Sequence, residues 1–158
     1  MRKILLIALV SLIAASMAGC SFIDGFFTKD VSIGDQILGE YSEREGAVME
    51  FVSYSDNALT VTIKNNTDYA WQSGNMRDYR LEVERDGQWY QVKQIGEFAN
   101  TMELMIFAPS NSLTHTFNFT ERYGTLTAGK YRVVKSWWAN SQNEDEKGSF
   151  DLWCEFEI

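Results

Sequence analysis

The nine residues "FDLWCEFEI", Phe150 to Ile158, alternate without a break: Phe150, Leu152, Cys154, Phe156 and Ile158 fall on one side, Asp151, Trp153, Glu155 and Glu157 on the other. Successive side chains of an extended chain point to opposite faces, so this pattern is a strand with one face in a core and the other turned outward. Upstream, "KYRVVKSWW" (Lys130 to Trp138) has the same period. If the two segments pair as a hairpin, Trp137 points inward, and Trp138 shares an outward phase with Arg132, Val134, Ser136 and Trp153.

The same period runs through most of the chain after Gly46. "ALTVTIKN" sets Leu59, Val61 and Ile63 against Thr60, Thr62 and Lys64. "DYRLEVERDGQWYQV" sets Tyr79, Leu81 and Val83 against Arg80, Glu82 and Glu84, and its Asp86-Gly87 pair tolerates the positive φ of a two-residue hairpin turn. Further strands are expected in "AVMEFVSY" (Ala47 to Tyr54), "TMELMIF" (Thr101 to Phe107) and "SLTHTFNF" (Ser112 to Phe119). Turn residues at Asn65 to Asp68, Pro109 to Asn111 and Ala128-Gly129 separate them, and no helical period is sustained. About seven to eight short strands at this spacing predict an all-β, antiparallel sandwich as a single domain.

The stretch "YGTLTAGKYRVVK", Tyr123 to Lys135, narrows the class. A leucine, a glycine and then a tyrosine entering a strand suit the tyrosine corner of immunoglobulin-like sandwiches, in which the Tyr131 hydroxyl reaches back to a backbone group while its ring stays in the core. Together with "LTVTIKNNTD" and "LEVERDGQWYQV" it resembles the bacterial immunoglobulin-like domains of small surface lipoproteins, Firmicutes-like in type. Those domains read Lys-Asn-Asn-Thr/Ser at a strand end, then Asp-Gly-x-Trp-Tyr, then Leu-x-Pro-Gly-x-Tyr-Arg; Ala128 stands here where proline is usual. The resemblance spans roughly Ala47 to Ile158 and implies an immunoglobulin-like fold, with no catalytic residue and no cofactor to carry over. A weaker resemblance is to immunoglobulin-like proteinase inhibitors of Bacillus type, through "NNTD" and "YRLEV".

The first residues carry an address. Arg2 and Lys3 precede an apolar run from Ile4 to Ala15 that only Ser11 interrupts, the build of a secretory signal peptide. Ser16, Gly19 and Ser21 arrive before the roughly twenty apolar residues of a membrane span are complete. Met17-Ala18-Gly19 before Cys20 resembles the lipobox of bacterial lipoproteins. That resemblance implies a diacylglycerol on the Cys20 thiol and cleavage after Gly19, so residues 1–19 are expected to be a leader. Residues 20–46 are expected to be mainly a tether, and residues 47–158 the domain. A flexible tether of about 25 residues would reach roughly 25–30 Å. The expected location is the extracytoplasmic face of a cell membrane, or the outer membrane where there are two, since Ser21 lacks the retention character of aspartate.

Without Arg2 and Lys3 the chain keeps 12 basic against 22 acidic residues, a net charge of −10, which argues against a nucleic-acid partner. Catalysis needs a nucleophile with a base, or a metal with several ligands. His115 is the single histidine and is in phase with Leu113, Phe117 and Phe119, so it reads as a core or rim residue. Cys154, left unpaired by acylation of Cys20, reads as a buried structural thiol, as Tyr131 reads as a structural ring. "NEDEKG", Asn143 to Gly148, lacks calcium-loop spacing and reads as a solvated turn. Neither a metal nor a cofactor is expected.

What remains is the outward set Trp138, Trp153 and Arg132, since tryptophans exposed on a sheet stack on sugars or anchor protein partners. The expectation is a lipid-anchored, non-enzymatic module that recruits a protein or carbohydrate. Inhibition of an extracytoplasmic protease through a loop such as Asn140 to Gly148 is the alternative.

Overall fold

The computed structural model describes residues 31–98, 103–143 and 146–158. Cys20, the leader and the first part of the expected tether lie outside them. The described residues form ten strands and one helical turn: β1 (Ile33–Gln36), β2 (Ala47–Ser55), β3 (Ala58–Asn65), β4 (Trp71–Ser73), β5 (Arg80–Arg85), β6 (Gln88–Val92), β7 (Met105–Phe107), β8 (Ser112–Asn118), α1 (Thr120–Tyr123), β9 (Lys130–Ala139) and β10 (Gly148–Glu157). Every strand pairing is antiparallel. The small sheet runs β2-β3-β8. In the larger one β9 pairs with β10 on one side, and on the other with β5 along its first half and β4 along its second. β6 and β1 extend the sheet beyond β5, and β7 beyond β4.

The core lies between the sheets, where the alternating residues place it: Leu59, Val61 and Ile63 from β3 against Tyr131, Val133 and Trp137 from β9 and Phe150 to Phe156 from β10. Trp71, whose phase the sequence leaves ambiguous, is fully buried, with its ring 5.1 Å from that of Phe150 and 5.8 Å from that of Trp137. The hairpin at Asp86-Gly87 forms as expected, with φ of 52° and 75°. The corner at Tyr131 also forms: its hydroxyl donates to the Thr127 carbonyl at 2.9 Å, and its ring, fully buried, stacks on Phe156 at 5.7 Å.

Two buried polar side chains tie loops to this frame. Asn65 donates to the carbonyls of Tyr69, Phe107 and Ala108 and accepts from the Thr67 amide and hydroxyl, which accounts for an asparagine at the end of β3. Lys135 sits on the inward phase of β9, fully buried, and its ammonium donates to the carbonyls of Gly74, Asn75 and Asp78 at 3.0–3.4 Å. Burial pulls that ammonium down to about 8, against the pull of Asp78. Three carbonyl acceptors oppose the same loss, so it enters neutral pH charged.

Cys154 is buried and unpaired on the inward face of β10, where burial, with the Glu155 charge, pushes its thiol up to about 11. In a Cys20→Ala chain at mildly alkaline pH, a thiol reagent should therefore label Cys154 much more slowly under native conditions than in denaturant. Equal rates would place this thiol at the surface.

The structure departs from the sequence reading between residues 31 and 46. Expected as tether, this segment packs on the domain. Val31 is buried, β1 adds to the edge of β6, and the chain then crosses the outer face of the large sheet as a strap. Main-chain bonds pin the strap at both ends, Ile37 N–H to the Trp89 carbonyl at 2.8 Å and Asp151 N–H to the Ser42 carbonyl at 2.8 Å. The physical reason is main-chain pairing: "IGDQ" needs no apolar alternation to hydrogen-bond an open sheet edge.

Candidate functional site

The register of the last hairpin, Trp153 opposite Val134 and Ser149 opposite Trp138, puts Trp138, Trp153 and Arg132 on one face. That face is not open along its length. Tyr41 of the strap lies over it, its ring centroid 5.2 Å from that of Trp153. Arg132 is 9 % exposed, its guanidinium 4.7 Å from the Tyr41 ring and 4.1 Å from the Trp89 ring. Beneath them Glu82, outward by phase, is fully buried.

These side chains satisfy one another. Arg132 donates through Nε to Glu82 Oε2 at 2.7 Å and through Nη2 to the Tyr41 hydroxyl at 3.3 Å, while that hydroxyl donates to Glu82 Oε1. Burial and the Glu82 carboxylate push the Tyr41 hydroxyl up to about 12, which keeps it a donor across physiological pH. Arg80 approaches the same carboxylate at 3.7 Å. The expectation of an open Arg132–Trp153 binding face is thus corrected: Arg132 is consumed in an internal ion pair and Trp153 is half-covered, because the strap crosses that end of the sheet.

Trp138, beyond the strap, stays 49 % exposed. Through Gln72 of β4, which pairs with both Trp138 and Ile106, it lies in a cross-strand row with Ile106, itself 67 % exposed. In this row Trp138 and Ile106 flank Gln72 and are open to solvent on the outer face of the sheet.

A second feature lies at the edge of the small sheet, where a cleft of about 670 Å³ opens between β8, α1 and the side chains of Met76, Arg77, Tyr79 and Phe98. His115 lines it half-buried, its ring edge-on to Phe117 at 4.7 Å, and burial lowers its pKa, with Lys135 adding to the effect. It is therefore neutral at neutral pH. Arg122, from the last turn of α1, also lines the cleft, with its guanidinium 5.2 Å from the Tyr79 ring and 5.0 Å from the Phe98 ring. Sequence reasoning missed this cleft, since Tyr79, Phe98, His115 and Arg122 come from four separate segments and Arg122 belongs to a single helical turn without periodicity.

Among the described residues no cluster of three or more His, Cys, Asp or Glu side chains could hold a metal ion. No helix among them is long and apolar enough to cross a membrane. Residues 47–151 match the family model described as a bacterial Ig-like domain. No curated protein and no solved structure matches the chain.

Proposed function

The chain belongs to the family of bacterial Ig-like domains, and from that premise we propose that it is a non-enzymatic binding module held at the extracytoplasmic face of a membrane by a lipid on Cys20. The observation that carries the binding reading is how the domain uses its side chains. Four of its buried polar groups, Glu82, Arg132, Asn65 and Lys135, are engaged by internal partners, whereas Trp138 and Ile106 are offered to solvent in one row. Internally engaged groups brace a scaffold, and an exposed tryptophan row suits a protein or carbohydrate partner.

The anchor reading rests on Met17-Ala18-Gly19-Cys20. Because the chain is docked from Val31 onward, only residues 21–30 separate Cys20 from the domain. Ten residues span at most about 33–36 Å when fully extended, so the module would work close to the lipid surface.

Cells fed labelled fatty acid should incorporate it into the chain, and a Cys20→Ala variant should carry none; label retained in that variant would refute the anchor. For the binding reading, the full chain in detergent is used to capture envelope components, with Trp138→Ala as the control. A protein or glycan lost with Trp138→Ala supports the module, and a captured protease would favour inhibition.

A further inference from the structure

β8 is the outermost strand of the small sheet. Main-chain bonds at the two ends of its ladder, Asn65 N–H to the Asn111 carbonyl at 2.9 Å and Phe119 N–H to the Asn57 carbonyl at 3.1 Å, fix which residues face β3. By antiparallel alternation Leu113, His115 and Phe117 exchange their main-chain bonds with β3, while Thr114, Thr116 and Asn118 turn theirs away. The Asn118 carbonyl is taken by the Tyr79 hydroxyl at 3.1 Å. The amides and carbonyls of Thr114 and Thr116 face outward with no main-chain partner among the described residues.

Proteins usually blunt such an edge with lysine, proline or a bulge. β2, the other edge of this sheet, carries a bulge between Phe51 and Ser53. β8, "SLTHTFN", has none of these devices.

The cleft beside this edge holds a cation with no carboxylate partner among the described residues. Arg122 is 8 % exposed, yet among the described residues no carboxylate lies within 4.0 Å of it. The other buried cations, Arg132 and Lys135, are matched by a carboxylate and by three carbonyls. Arg122 is met by neutral groups, the faces of two aromatic rings and the Tyr123 hydroxyl, which do not take all the bonds its five N–H donors offer. A guanidinium so placed favours an anion that takes those bonds. Arg77 and Glu121, both exposed at the rim, carry opposite charges that water screens alike, so the buried Arg122 sets the sign of the cleft.

We propose that the β8 edge takes an extended acidic peptide segment of a partner protein, which adds as a fourth strand on Thr114 and Thr116 and places a carboxylate on Arg122. Strand addition draws affinity from main-chain bonds and specificity from a side-chain pocket. A small free anion would use Arg122 but leave the edge unpaired, which is why a peptide fits both features. This inference rests on the binding-module reading and names the partner's chemistry at one face of it.

The test uses the full chain in detergent and two fluorescent peptides of sequence Thr-Val-Glu-Val-Thr and Thr-Val-Gln-Val-Thr, followed by anisotropy. The glutamate peptide should bind, and the glutamine peptide more weakly by about tenfold or more. Arg122→Gln should abolish that preference. Thr116→Pro should weaken both peptides by about tenfold or more while leaving the fold intact, because the amide it removes makes no bond to β3 and the bond to the Thr60 hydroxyl lost with the side chain, at 2.9 Å, is exposed to water. Should Arg122→Gln fail to fold, the peptide comparison on the unaltered chain and Thr116→Pro still decide. Equal affinity for the two peptides, no binding of either, or binding unchanged by Thr116→Pro would overturn the proposal. Failure of both peptides on a chain that still captures an envelope partner through Trp138 would overturn it, yet leave the module reading standing.

Discussion

Tyr131→Ala is expected to destabilise the domain by ~3–5 kcal/mol, and Tyr131→Phe by only ~0.5–1.5 kcal/mol. The ring is fully buried and stacked on Phe156, so alanine opens a cavity in the part of the core where β9 meets β10. Phenylalanine keeps the ring and loses one hydrogen bond to the Thr127 carbonyl, a part-buried group that water can reach in its place. Against a total stability of ~5–15 kcal/mol for a domain of this kind, the alanine chain should be largely unfolded or poorly expressed and the phenylalanine chain merely less stable. Urea titration followed by tryptophan fluorescence reads both. Two neutral substitutions would remove Tyr131 from the core, and with it the register of the last hairpin.

Removing one partner of the Glu82–Arg132 pair should cost as much. Glu82→Ala leaves a nearly buried guanidinium without its carboxylate, a loss of ~3–5 kcal/mol for pairs of this type. It also frees the Tyr41 hydroxyl, which donates to Glu82, so the strap should loosen with the stability. The second effect is separable from the first. Hydrogen exchange at the Asp151 amide, whose acceptor is the Ser42 carbonyl of the strap, should accelerate in Glu82→Ala before global unfolding. Replacing both partners by apolar residues of similar size, as in Glu82→Met with Arg132→Met, should recover most of the loss, since no charge is then left buried. A double variant as unstable as Glu82→Ala would show that the pair was not the source of the cost.

The strands with a buried face were legible because alternation is a local signal: β3, β5, β9 and β10 each show it within six to ten residues. So were the Asp86-Gly87 turn and the corner at Tyr131, whose partner Thr127 is four residues away. β1 and β4 were missed, being only four and three residues long, and β1 is held through its main chain rather than by a pattern of side chains.

The sequence by itself therefore determined the sandwich, the inward faces and the hairpin register, because those follow from the two-residue period and from turn chemistry that acts over a few bonds. It also placed Glu82, Arg132 and Trp153 on the outward face, correctly as to phase. Only the tertiary structure decided that this outward face is partly closed. Burial there comes from Tyr41, 41 residues before Glu82 and 91 before Arg132, brought over the sheet by main-chain bonds that leave no mark in composition or periodicity. The same holds inside, where Lys135 is tolerated in an apolar phase because a loop some 57 to 61 residues upstream turns three carbonyls toward it. The cleft beside β8 is decided in the same way. Phase gives the side of a strand on which a residue stands, and what stands over that side is settled by chain segments that meet only in the fold.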